Sequence, residues 1–128
     1  MTLGTSEYIF RNGDRVRFFI WESQEAYIAG FPDGKGTQAV FHPYEYKLHV
    51  DTGEIEKLNP FGEIHFVAGL YGSGVVTHEC LHSCFHWAEI NSVKLPEEEE
   101  SFCWELGMMV SAFWKWHYRL LEWQTGLS

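Results

Sequence analysis

The residues of this chain best suited to chemistry lie in one run, Val75-Val76-Thr77-His78-Glu79-Cys80-Leu81-His82. Two histidines four positions apart stand on one face of an α-helix, one turn above the other, so both imidazoles can reach a single ion. Zinc suits a pair of imidazoles, and a glutamate beside the first of them can act as a base toward water at the metal. The pattern therefore points to metal-assisted hydrolysis. It requires that the segment be helical, and that a third ligand come from elsewhere in the chain.

The flanking residues predict that helix. Phe61-Gly62-Glu63-Ile64-His65-Phe66-Val67-Ala68 alternates as a strand does, and Gly69, Gly72, Ser73 and Gly74 then interrupt the chain. Ser73 is the expected N-cap. Val75, Cys80, Leu81, Cys84, Phe85 and Ala88 recur at helical spacing, so a metal-binding helix is expected over residues 73–91, fading at Asn91-Ser92. His86 extends the series, but eight positions along a helix is about 12 Å, too far for His78 and His86 to share an ion. A satisfied or surface imidazole is the simpler role for His86, as for His42, His49 and His65. Cys80 and Cys84 read as packed thiols.

Length and composition bound what else the chain can be. With 128 residues it is expected to form one domain, 1–128, around one core. Apolar content of 45% and aromatic content of 17% exclude a disordered chain. No apolar run approaches the roughly 20 residues of a membrane helix, and the first residues lack a basic start followed by an apolar stretch. The expectation is a soluble, cytoplasmic protein without membrane contact. Cys80, Cys84 and Cys103 are odd in number and form no C-x-x-C pair, as suits reduced thiols. A net charge of -9 with nine scattered basic residues argues against a nucleic-acid partner.

The first seventy residues carry the punctuation of hairpins. Tyr8 to Phe10 and Val16 to Trp21 flank Asn12-Gly13, a two-residue turn signal. Ala26 to Ala29 reads as a further short strand, Phe31 to Gly36 as a loop, and Thr37 to Phe41 as extended chain. Tyr44, Tyr46, Leu48 and Val50 alternate with polar residues before Asp51-Thr52-Gly53 turns the chain into Glu54 to Leu58. Sheet precedes helix, so the class is α+β: an N-terminal antiparallel sheet, the helix bearing His78, and a C-terminal helix over 97–123. Glu97 to Glu100 follow Pro96 and open that last helix, where carboxylates meet the positive end of its dipole. Four of the six tryptophans lie within it, at spacing that suits packing against the sheet or the first helix.

With Val75-Val76-Thr77-His78-Glu79-Cys80-Leu81-His82 followed by Glu99-Glu100-Ser101-Phe102-Cys103-Trp104-Glu105-Leu106-Gly107, the chain resembles the gluzincin metallopeptidases, and among them small phage and bacterial zincin-like proteins. The likeness covers about Gly62 to Gly107. Cys103 and Trp104 stand where Ala and Tyr are commoner, and no glycine follows His82 at the spacing of the metzincin branch. The resemblance implies that His78, His82 and a downstream glutamate bind zinc. In that family the glutamate is followed three residues on by a small residue, a rule met by Glu100 with Cys103. Glu99 and Glu105 place Phe102 and Met108 there instead. It also implies that Glu79 is the general base, that strand Gly62 to Ala68 holds an extended peptide, and that His117 or Tyr118 faces the oxyanion. A zinc-dependent peptidase acting on a peptide or protein, in the cytoplasm of a bacterial host if phage-encoded, is the first expectation. A zinc-stabilised, non-catalytic protein that binds a host or partner protein is the second.

Overall fold

The structure, a computed structural model, describes residues 1–125, and the side chains of 1–122. Strands β1 (Thr2–Ile9) and β2 (Arg15–Trp21) form the expected hairpin. Its loop closes through Phe10 N–H donating to the Asp14 carbonyl at 2.7 Å, and Gly13 takes φ +92°, which a side chain would resist. β3 (Ala39–Pro43), the two-residue strands β4 (Lys47–Leu48) and β5 (Ile55–Glu56), and β6 (Gly62–Val67) follow. The main sheet has the order β1-β2-β6-β3, while β4 and β5 pair apart as the second hairpin. Antiparallel pairing dominates, but β2 and β6 run parallel. Sequence periodicity carries no sign of that, because strand direction depends on the route taken between strands.

The α+β class holds, with helices α2 (Ser73–Ile90) and α3 (Glu99–Thr125) after the sheet. Several segments differ from their expected states: Pro32–Gly34 forms a 3-10 turn within the expected loop, and only Lys47–Leu48 of Tyr44 to Val50 is strand. Ala26 to Ala29 belongs to a helix, α1 (Gln24–Gly30), because the Ser23 hydroxyl accepts from Ala26 N–H at 3.1 Å and nucleates a turn there. Tyr27, fully buried, then closes a small second core with Trp21 and Val67. Alternation along β2 and β6 explains the division. Val16, Phe18, Ile20, Ile64 and Phe66 face the core under α2 and α3, while Trp21 and Val67 face the other side.

The long helix packs over β1 and β2. Phe113 is fully buried against Phe18 and Phe66, and Trp116 stacks on Phe18 at a centroid separation of 6.1 Å. Trp104 does not join that stripe: it is 39% exposed, with the Arg11 guanidinium 3.3 Å from its ring centroid. Trp123 lies outside the described side chains.

A polar clamp ties the first hairpin to the second and to the end of α2. Buried Asp14 accepts from Lys57 Nζ at 2.7 Å and from Asn91 Nδ2 at 2.8 Å, and Lys57 also reaches Asn91 Oδ1 at 2.6 Å. Burial pushes the Asp14 carboxyl upward, but the hydrogen bonds from Lys57, Asn91 and Asn12 outweigh it and hold the group below the ordinary carboxylate range. Its contribution is therefore present above the unfolded pKa and is lost as pH falls through the lower folded value. Asp14→Ala leaves Lys57 and Asn91 without their acceptor. It is expected to cost about 3 kcal/mol, read as a fall in melting temperature of roughly 10 °C at neutral pH.

Candidate metal centre

Helix α2 starts where the glycines release the chain from β6. Gly69 takes φ +80°, and extended Gly72 is the N-cap, so Ser73 is the first helical residue and makes no side-chain cap. Val76, Cys80, Ser83, Cys84 and Trp87 turn inward, and the helix ends at Asn91 as expected. Burial raises the Cys80 thiol to about 12 and pushes Cys84 higher still, so both are protonated packing groups. His78 and His82 stand on the outer face, exposed.

Their Nε2 atoms are 3.1 Å apart. Two imidazole nitrogens on one tetrahedral zinc, each at 2.0–2.1 Å, are separated by about 3.3 Å. The pair thus sits close to the spacing of two ligands of one ion without moving the backbone. Glu79 is buried at 8% exposure, and its carboxylate joins the two imidazoles in a group whose ligand atoms all lie within 4.8 Å of one another. Oε1 of Glu79 accepts the Phe41 backbone N–H at 3.0 Å. That bond fixes the carboxylate between β3 and the histidines, with its second oxygen left for other partners.

The contact also locates the sheet edge. Strand β6 pairs with β2 on one side and β3 on the other, so Gly62 to Ala68 cannot receive a further strand, contrary to the expectation for it. The open edge beside α2 is β3. Because Phe41 N–H points away from β6, the antiparallel pattern turns the backbone groups of Ala39 outward as well, along with the Phe41 carbonyl. Between this edge and α2 runs a cleft of about 540 Å³ lined by Ala39, Phe41, Glu79, His82, Phe85 and Glu89 among others. Periodicity found strand 37–41 but did not say which strand the helix would flank. Phe41, Phe85 and Glu89 consequently had no signal as site residues.

Glu100 is not part of the His78-Glu79-His82 group. Two sets of ring contacts fix α3 antiparallel to α2: Phe85 meets Phe102 at 5.1 Å, and Tyr71 meets His117 at 5.4 Å. The level of His78 and His82 lies between them, whereas Glu100 precedes Phe102 and lies beyond the Phe85 level. It is exposed on the first turn of α3, and among the described residues the metal-binding group contains only His78, Glu79 and His82. Phe102, not Cys103, is buried at the helix contact, and Cys103 is exposed. Glu99 is exposed too. Glu105 is committed to the core, accepting from Tyr8 OH at 3.4 Å and from Arg11 N–H at 3.2 Å. Glu100→Ala is accordingly expected to change zinc affinity by less than threefold in a competitive chelator titration, since about 1.4 kcal/mol of lost ligation would already be tenfold.

His117 is not part of the group either. Nδ1 of His117 is 2.7 Å from the Tyr71 hydroxyl, and burial lowers the basicity of its ring. Tyr118 is 60% exposed. His86 lies on the cleft wall against Phe41, Phe61 and Tyr46, and burial holds it below the ordinary histidine range despite nearby Glu89. His65 is buried on the opposite face of the sheet, stacked on Phe31 at 4.1 Å; its Nδ1 accepts from Trp21 Nε1 at 2.9 Å, while its Nε2 has no hydrogen-bond partner among the described residues and lies 3.4 Å from Glu63 Oε1.

Fold and site together define an α+β protein whose second helix presents a His-Glu-His group able to hold a metal ion. No protein-family model matches the chain, and comparison with curated proteins and with solved structures finds no match to it. No helix among the described residues is long and apolar enough to cross a membrane.

Proposed function

We propose that the protein is a zinc-dependent peptidase with His78 and His82 as metal ligands and Glu79 as general base. The observation that carries this reading is the placement of Glu79, buried within reach of both imidazoles and fixed by the N–H of an open sheet edge. A purely structural ion needs ligands but no carboxylate poised beside them. Two imidazoles one helical turn apart fit zinc by donor type and by spacing.

Bound zinc would supply Lewis acidity, polarising a carbonyl and easing the deprotonation of water. The remaining steps belong to the chain. The outward carbonyls of Ala39 and Phe41 receive the N–H groups of an extended peptide, laying it along β3 toward the histidines. Glu79 takes the proton of the attacking water on the oxygen not held by Phe41, and returns it to the leaving amine. Fixing one oxygen restricts the carboxylate rotamer, so the base is oriented before substrate arrives.

One observation favours a second reading, a zinc-stabilised binding protein without catalysis: the exposed position of Glu100 leaves the group without a carboxylate from α3. Glu79→Gln separates the two, because it removes the base and leaves the imidazoles in place.

A further inference from the structure

Along α2 the residues that face β3 follow one stripe. His82, His86 and Glu89 stand at i, i+4 and i+7, with Phe85 beside them, and all four line the cleft. Walking from the imidazoles toward the C-terminal end of the helix, the wall passes from ligand to aromatic ring to carboxylate. Glu89 is two turns from His82, about 10 Å along the axis. An extended chain covers that distance in about three residues.

The carboxylate at the far end of the wall is held in place. Tyr46 OH donates to Glu89 Oε1 at 2.8 Å, leaving the other oxygen to accept, and among the described residues none of the ion pairs involves Glu89. The nearest lysine in sequence beyond the helix, Lys94, lies past its end. Lys57, which comes close to the end of α2, is committed to Asp14 and Asn91. Phe85, half exposed on the same cleft wall and backed by Phe102, offers a flat apolar surface on which an aliphatic stem can lie.

We infer that Glu89 selects the substrate: the cleft takes an extended peptide that carries a lysine or arginine about three residues from the scissile bond, at the Pro43 end of β3. The inference rests on the peptidase reading of the same site. Charge and shape agree on this occupant. A basic side chain has a stem to cover Phe85 and a cationic head to meet the oriented carboxylate, and the net charge of -9 draws such a peptide in. An acidic side chain at that position meets a like charge and is excluded.

The test uses the full chain loaded with zinc and two fluorogenic peptides that differ only at that position, one with Lys and one with Glu. The parent is expected to favour the Lys peptide by at least about tenfold in kcat/KM, and Glu89→Lys to reverse the preference. Binding of the same peptides to the Glu79→Gln protein, followed by fluorescence anisotropy, should show the same order, and Glu89→Lys in that background should weaken the Lys peptide about tenfold. Zinc content is expected to stay the same in Glu89→Lys and the melting temperature to fall by no more than a few degrees, because the side chain is exposed and loses only its surface hydrogen bond with Tyr46. Equal kcat/KM for both peptides in the parent and in Glu89→Lys overturns the role of Glu89 and leaves the peptidase reading standing. A zinc-loaded parent that neither binds nor cleaves any peptide overturns the peptidase reading, and the inference with it.

Discussion

Glu79→Gln is expected to abolish peptide hydrolysis while leaving the protein folded and its metal bound. The amide is nearly isosteric with the carboxylate, and its oxygen can still accept the Phe41 N–H that Glu79 Oε1 accepts at 3.0 Å. What it cannot do is take a proton. General acid–base catalysis contributes roughly 10²–10⁴-fold, so kcat/KM should fall by at least that much. KM should move little, because the variant keeps the shape of the cleft. Melting temperature is the control, and it should change by only a few degrees. If the parent cleaves peptides and Glu79→Gln cleaves them as fast, the base is another group and the role given to Glu79 is wrong.

The second large effect concerns the imidazoles. His78→Ala and His82→Ala each remove half of the pair whose Nε2 atoms lie 3.1 Å apart, and with it the chelate that one helical turn provides. Loss of one of so few protein ligands is expected to lower zinc affinity by more than about a hundredfold, beyond the 10–100-fold typical of losing an outer partner of a ligand. Both side chains are exposed, so neither substitution opens a cavity and the metal-free proteins should fold as the metal-free parent does. Competition with a fluorescent chelator reads the affinities. Zinc affinity that is unchanged in both variants would place the ion elsewhere.

Much of this arrangement was legible in the residues. The helix bearing His78 and His82 was visible because glycines precede it and apolar residues recur through it at its own period, and i, i+4 spacing makes the pairing of the two imidazoles a local consequence of that helix. Hairpin Tyr8 to Trp21 was equally local, specified by Asn12-Gly13. The errors fall where local pattern stops deciding. Ala26 to Ala29 is too short for periodicity to separate strand from helix, and the cap at Ser23 decided it. Which strand stands free beside α2 depends on the parallel crossover between β2 and β6, a long-range property. Glu100 does not join the His78-Glu79-His82 group, for a related reason. Glu100 with Cys103 satisfied a rule of spacing along one helix, but the level at which α3 meets α2 is set by the contact of Phe85 with Phe102 and of Tyr71 with His117. Glu89 was invisible as a site residue because nothing near it in sequence marks it. Its neighbourhood comes from the hydrogen bond with Tyr46 and from the cleft whose lining it shares with Pro43.

One zinc ion held by His78 and His82 is the basis of every role proposed for the cleft. Elemental analysis of the purified protein, after zinc loading and exhaustive dialysis against buffer, tests it directly. One zinc per chain in the parent, and less than a tenth of that in the variant carrying both His78→Ala and His82→Ala, is the predicted result. A parent without bound zinc, or a double variant that retains a full equivalent, would contradict it.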